Sequence, residues 1–304
     1  MHWMREIIVQ HHLDLGAPDV ETSGSDRKMP DLVIYTSPRS QNVSCLIEAK
    51  PPYYDAFDQK ELKEPARRKA TERSAPYFAT TNFKRLVWFK TEAVNTLKPE
   101  EEQIVQIYPL SELENIDEIE QIRYREPIKR ELTAFLTKLY AVHAGKEPEP
   151  KQAVDELLVI RLHEKIELLS TYYRRMIDDR CHKDPQFAAQ LTKWFTDQNW
   201  SFSWDIQDFE KAARQTAYLL INKILFYNIL QAKHPQELDP LEIPAGLTKG
   251  SLLQKHLQAY FDEVLKIDYE TIYTTDFIDT IAFPDSEEVV EEVKEVSNIL
   301  RARD

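Results

Sequence analysis

The sequence predicts an α/β domain, a small mixed β-sheet flanked by helices, followed by an all-α domain. Three observations predict it. Apolar runs rich in Val, Ile, Leu and Tyr at 31–36 and 44–50, and a second pair within APYFATTNFKRLVWFK (75–90), have the composition of strands. From about residue 116 onward long helical periodicity replaces the strand signals. Between these textures, HAGKEPEPKQ (143–152) is a polar break containing prolines. The expected domains are 1–145 and 152–304.

Taken in order, WMREIIVQHHLDL (3–15) spaces Ile7, Ile8 and Leu15 loosely as on a helix, with Gly16 as its stop. Two strands follow, and then a basic helix starting at Pro65, where proline suits a first turn. A strand, a turn at Thr81-Asn82 and a strand over 86–89 come next. Helices are expected at 127–143, closing the first domain, and at 152–179, 185–199, 205–233 and 252–266. ARQTAYLLINKILFYNILQA is apolar nearly all round, which predicts the central helix of its domain. Lys223 inside it needs an acidic partner, with Asp208 and Glu210 both in play.

Composition removes several function classes. The 304 residues include only Cys45 and Cys181, too few for a disulfide framework or a four-cysteine zinc site. Five glycines and no GxGxxG or Walker pattern argue against a phosphate-cradling loop. No apolar stretch approaches the roughly 20 residues that span a bilayer, and the first residues lack the order of a signal peptide. The expectation is a cytoplasmic protein with no membrane partner. A net charge of -13 weighs against nucleic acid, but DNA responds to local distribution. Acids gather at 100–102, 112–120 and 285–295, whereas QKELKEPARRKATER (59–73) is strongly basic. Within it Lys63, Arg67 and Arg68 are candidates for phosphate contacts, or simply for a solvated helix face.

Chemistry concentrates in MPDLVIYTSPRSQNVSCLIEAK (29–50). Side chains alternate along a strand, so Glu48 and Lys50 share a face. A turn symmetric about Arg39-Ser40 places Asp31 opposite Glu48, and a one-residue slip would separate them. Opposed carboxylates, with Cβ atoms about 4.5–5.5 Å apart, can share a divalent cation. Such an ion neutralises a phosphate and activates water. Lys50 would orient the water and stabilise charge developing at phosphorus, and the Ala49 carbonyl offers another ligand. Glu6 and Glu21 are supporting candidates. The plainer reading is a hairpin whose end charges meet water, yet both strands are apolar on both faces, where lone charges are unfavourable.

Pro30-Asp31, Leu32-Val33-Ile34 and Leu46-Ile47-Glu48-Ala49-Lys50 together resemble the PD-(D/E)xK restriction-endonuclease-like nucleases. That resemblance implies Asp31, Glu48 and Lys50 as catalytic residues, Asp31 and Glu48 as metal ligands, and Mg²⁺ as cofactor with Mn²⁺ able to substitute. YFATTN is similar to the version in type I restriction subunits and single-chain restriction-modification enzymes. LLINKILFYNIL (219–230) resembles the helical connector between nuclease and adenine methyltransferase in single-chain type IIG enzymes. The implied partners are double-stranded DNA, a methyltransferase or recognition domain downstream or in a separate subunit, and a second copy for double-strand cleavage. Two features depart from the pattern. Lys63 stands where some relatives have the Tyr of Gln-x-x-x-Tyr, and KPPYY (50–54) lacks the Asn or Asp of a methyltransferase motif. The alternative is a non-catalytic DNA-binding or domain-docking module that keeps a nuclease-like fold.

Elsewhere, His11-His12 point apart on a helix and make a poor metal pair. Tyr172-Tyr173 reads best as a helix contact, with Arg174-Arg175 solvated. Trp194, Trp200 and Trp204 read best as pins for a loop between helices.

Overall fold

The computed structural model describes residues 1–19, 32–151, 153–265, 273 and 276–301. The chain divides into two compact units, Met1–Leu157 and Leu158–Asp304.

The first unit is built on a five-stranded sheet in the order β1 (Leu32–Tyr35), β2 (Val43–Ala49), β3 (Tyr77–Thr81), β4 (Arg85–Lys90), β5 (Ile104–Pro109). β2 and β3 run parallel and every other neighbouring pair is antiparallel, so the sheet is mixed. A parallel pair needs a crossover, supplied here by a π-helical turn, Gln59–Lys63, running into α2 (Glu64–Glu72). One face of the sheet is covered by α1 (His2–Gln10) and, later in the chain, by the long helix Ile122–His143. Met4, Ile7 and Ile8 of α1 and Ile128, Leu132, Phe135 and Leu139 of the long helix form one core with Cys45, Ile47, Ala79 and Trp88. The alternate residues of β2 and β3 face α2. Two short helices, α3 (Thr91–Asn95) and α4 (Glu100–Gln103), join β4 to β5, and the long helix is α5.

Several boundaries correct the expectations. α1 stops at Gln10, and Gly16 has a different role: its N–H donates to the Tyr35 carbonyl (3.0 Å), and a Cβ there would lie 2.5 Å from the Tyr35 Cβ. Glycine is required by that close approach to β1 rather than by a helix end. Helical conformation before β3 begins at Gln59 rather than Pro65, because Asp58 caps it through its side chain to the Lys60 and Glu61 N–H groups (2.8 and 2.7 Å). Pro65 then has no N–H for the Glu61 carbonyl and crowds it, which suits the wider π turn upstream. α5 starts five residues before Pro127, which sits inside it. β5 was not anticipated.

The second unit is helical: α6 (Val154–Lys183), α7 (Pro185–Asp197), α8 (Ile206–Lys233), α9 (Gly250–Leu265) and α10 (Glu287–Arg301). Asp184 and Asp205 cap α7 and α8 through side-chain bonds to the first-turn N–H groups. α8 buries Ala213, Ala217, Ile221 and Ile224 but exposes Tyr218, Phe226 and Ile229, so it is not enclosed all round. Lys223 reaches neither Asp208 nor Glu210: it pairs with Asp279 at 2.9 Å, and Glu210 meets Arg174. The acidic segment 285–295 largely forms α10, whose Val289, Val290, Val293 and Val296 are core residues. Tyr173 is buried, and Trp194, Trp200, Phe202 and Trp204 form ring contacts that hold the α7–α8 connection. No described helix is long and apolar enough to cross a membrane.

Candidate active site

β1 and β2 pair as Leu32↔Ile47, Val33↔Leu46 and Ile34↔Cys45, and the register shifts between Ile34 and Tyr35 on the way to the turn. Asp31, the acid expected to face Glu48, lies outside the described residues, as does Glu21.

Glu48 is the penultimate residue of β2 and sits beside Thr80 of β3. It is only 8% exposed. A carboxylate at that depth needs a partner, since an unpaired buried charge costs several kcal/mol, on the order of the desolvation penalty per ion. Lys69 of α2 supplies it, its ammonium 2.5 Å from Oε2 and itself 5% exposed. Thr80 donates its hydroxyl to the Ala56 carbonyl (2.6 Å), tying the loop after β2 down beside the acid.

Lys50 ends the strand at Pro51-Pro52, and its N–H continues the ladder to the Thr81 carbonyl (2.9 Å). Its ammonium is 3.9 Å from Glu61 of the π turn and 5.7 Å from the Tyr54 ring centroid. Glu48 and Lys50 thus both turn toward the segment 59–72, while Ile47 and Ala49 line a cavity of about 540 Å³ with Trp3, Phe83 and Leu132. Lys50 stands at the rim of that cavity as well.

The Thr81-Asn82 turn locks this end of the sheet. Asn82 Oδ1 accepts from the Lys84 and Arg85 N–H groups (3.1 and 2.9 Å), and Nδ2 donates to the Tyr54 carbonyl (2.8 Å). Thr81 Oγ1 accepts from Phe83 N–H (3.1 Å) and donates to the Arg85 carbonyl (2.7 Å), steadying a left-handed Phe83 with φ 65°.

The other candidates are placed differently. Glu6 bonds Lys129 of α5 at 2.9 Å, on the α1–α5 face of the sheet opposite Glu48, and is not brought to the Glu48 cluster. Lys129 holds its carboxyl below the ordinary range. Lys63 does not project into solvent as a phosphate contact should: it is buried, its ammonium 5.1 Å from the Phe89 ring centroid. Arg67 is engaged by Glu64 (Nε to Oε2, 2.8 Å) and Asn95 (2.8 Å), whereas Arg68 is exposed. The Arg67 guanidinium keeps the Glu64 carboxyl below its usual value.

Sequence reasoning missed Lys69 and Glu61. A signal existed for Lys69: Leu62, Ala66 and Ala70 are the buried stripe of the helical segment, and position 69 borders that stripe. A lysine on an apolar stripe calls for a buried acid.

No family model matches the chain, and no curated protein matches it. Among solved structures the chain is similar to the type IIG restriction endonuclease BpuSI, with 11% identity and a TM-score of 0.37. The likeness covers 98% of this chain and 28% of that one, so the chain spans under a third of that protein's length.

Proposed function

We propose that the first unit carries a Mg²⁺-dependent DNA endonuclease site made of Asp31, Glu48 and Lys50, in a module of restriction-modification type. The observation that carries this reading is a buried glutamate two residues before a lysine at the end of a central strand, both turned to one face. The β1–β2 register at Leu32↔Ile47 is the one from which the sequence reading of the hairpin starts. Oxygen donors only, two carboxylates and the Ala49 carbonyl, suit a hard divalent cation.

When bound, that cation would supply Lewis-acid neutralisation of the phosphate and activation of water. The chain's own residues do the rest. Asp31 and Glu48 would hold the ion. Lys50, whose half-exposed side chain turns to the same face as Glu48, holds the attacking water and stabilises negative charge developing at phosphorus. Asn82 and Thr81 fix the adjacent turn, so Lys50 starts from a rigid backbone. Arg68 is the phosphate contact best placed to meet solvent. Double-stranded DNA is the substrate, and a methyltransferase or recognition domain is the partner of the helical unit.

A second reading, a non-catalytic module that keeps the nuclease shape, draws on one observation: Glu48 is already neutralised by Lys69. Calorimetric titration with Mg²⁺ in the presence of duplex DNA separates the two. Heat of ion binding in the wild type that disappears in Glu48→Ala is the result expected of the nuclease. Absence of binding in both proteins supports the module.

A further inference from the structure

We propose that Lys69 is a built-in counter-cation of this site, a positioning residue that occupies Glu48 until a divalent ion displaces it. The inference rests on the nuclease reading of Glu48. It goes beyond that reading by naming a competitor within the chain and the property it sets, the affinity for the metal.

The geometry points this way. Lys69 comes from α2, not from the strand that carries Glu48 and Lys50, and its ammonium contacts Oε2 of the Glu48 carboxylate. The side chains are 6% and 10% exposed, so water screens the contact little. A buried carboxylate without a positive neighbour is unfavourable, and Lys69 removes that cost in the metal-free protein. When a doubly charged ion reaches Glu48, an ammonium held 2.5 Å from Oε2 becomes a like charge at close range. Lysine can respond, because its charge sits on a flexible four-carbon stem, whereas a guanidinium would grip both oxygens in a planar fork. Lys50 has a separate station, 3.9 Å from Glu61, so the two lysines do not substitute for each other.

The test is a calorimetric titration of the full chain with Mn²⁺, using wild type, Lys69→Met, Lys69→Arg and Glu48→Gln. Lys69→Met should bind Mn²⁺ on the order of tenfold more tightly than wild type, because a repelling charge is gone. Lys69→Arg should bind several-fold more weakly, since the fork holds the carboxylate harder. If Glu48→Gln abolishes binding while Lys69→Met binds no tighter than wild type, Lys69 is a structural ion-pair partner only and the proposal falls, with the nuclease site intact. Should Lys69→Met fail to fold, an unchanged affinity in Lys69→Arg overturns the proposal by itself. Binding that survives Glu48→Gln overturns the metal site and this role together.

Discussion

Removing Lys69 tests the energetics of the Glu48 cluster without any ligand. In Lys69→Met the carboxylate stays 8% exposed but loses an ammonium 2.5 Å away. Breaking a buried pair by deleting one partner costs about 3–5 kcal/mol, because the remaining charge loses its counter-ion. In urea, with a slope of about 2 kcal/mol per molar, that lowers the midpoint of the first unit's transition by about 1.5–2.5 M. Trp88, fully buried in the sheet, reports that transition by fluorescence once Trp194, Trp200 and Trp204 are replaced by Phe. The double variant Glu48→Gln/Lys69→Met carries neither charge and should recover most of the loss, since a neutral pair needs no counter-ion. A Lys69→Met protein within about 0.5 kcal/mol of wild type, a change typical of surface sites, would mean that the pair carries no such charge penalty. A double variant as damaged as the single one would mean the same.

Three further outcomes are expected. Burial raises the Glu149 pKa, but hydrogen bonds from Tyr77 (2.6 Å) and Lys90 (2.9 Å) outweigh it and leave the net value below the usual 4.5. Its stabilising effect is therefore complete above that value and is lost as pH falls through the lower folded one; Tyr77→Phe should move the acid-unfolding midpoint to higher pH, and an unmoved midpoint contradicts the assignment. Gly16→Ala should destabilise the first unit by about 1–3 kcal/mol, the cost of an overpacked contact, as read by urea denaturation. Lys223→Met should cost the helical unit up to about 3 kcal/mol by leaving the half-buried Asp279 without its ammonium partner, with Lys223→Met/Asp279→Asn recovering most of it in the same assay.

How far the sequence was legible depended on whether a signal was local. The hairpin was legible at its open end, where Leu32↔Ile47, Val33↔Leu46 and Ile34↔Cys45 are the pairs that symmetry about Arg39-Ser40 demands, but not near its turn, where the register shifts to Tyr35↔Val43. Helices of the second unit were legible by periodicity, with caps at Asp184 and Asp205 marking two starts. β5 was hidden because IVQIYP comes soon after three glutamates that read as surface. α10 was hidden for a similar reason: its acids outnumber its valines, yet Val289, Val293, Val296 and Leu300 fall on one face. Gly16 misled because a glycine after an apolar run has two physical uses, and only the approach of Tyr35 decides between them. The Glu48–Lys69 contact joins residues 21 apart on different elements, and no local pattern encodes a partner across a crossover.

If Asp31, Glu48 and Lys50 form a nuclease site, cleavage of DNA depends on each of them. Supercoiled duplex plasmid should be incubated with the full chain, with Mg²⁺ or EDTA, for wild type, Asp31→Ala and Lys50→Met. Wild type should nick or linearise the plasmid only with Mg²⁺, and the rate should fall by at least about 100-fold in each variant, the scale of losing a positioned charge or acid–base group. Equal Mg²⁺-dependent cleavage by all three proteins would contradict that assignment.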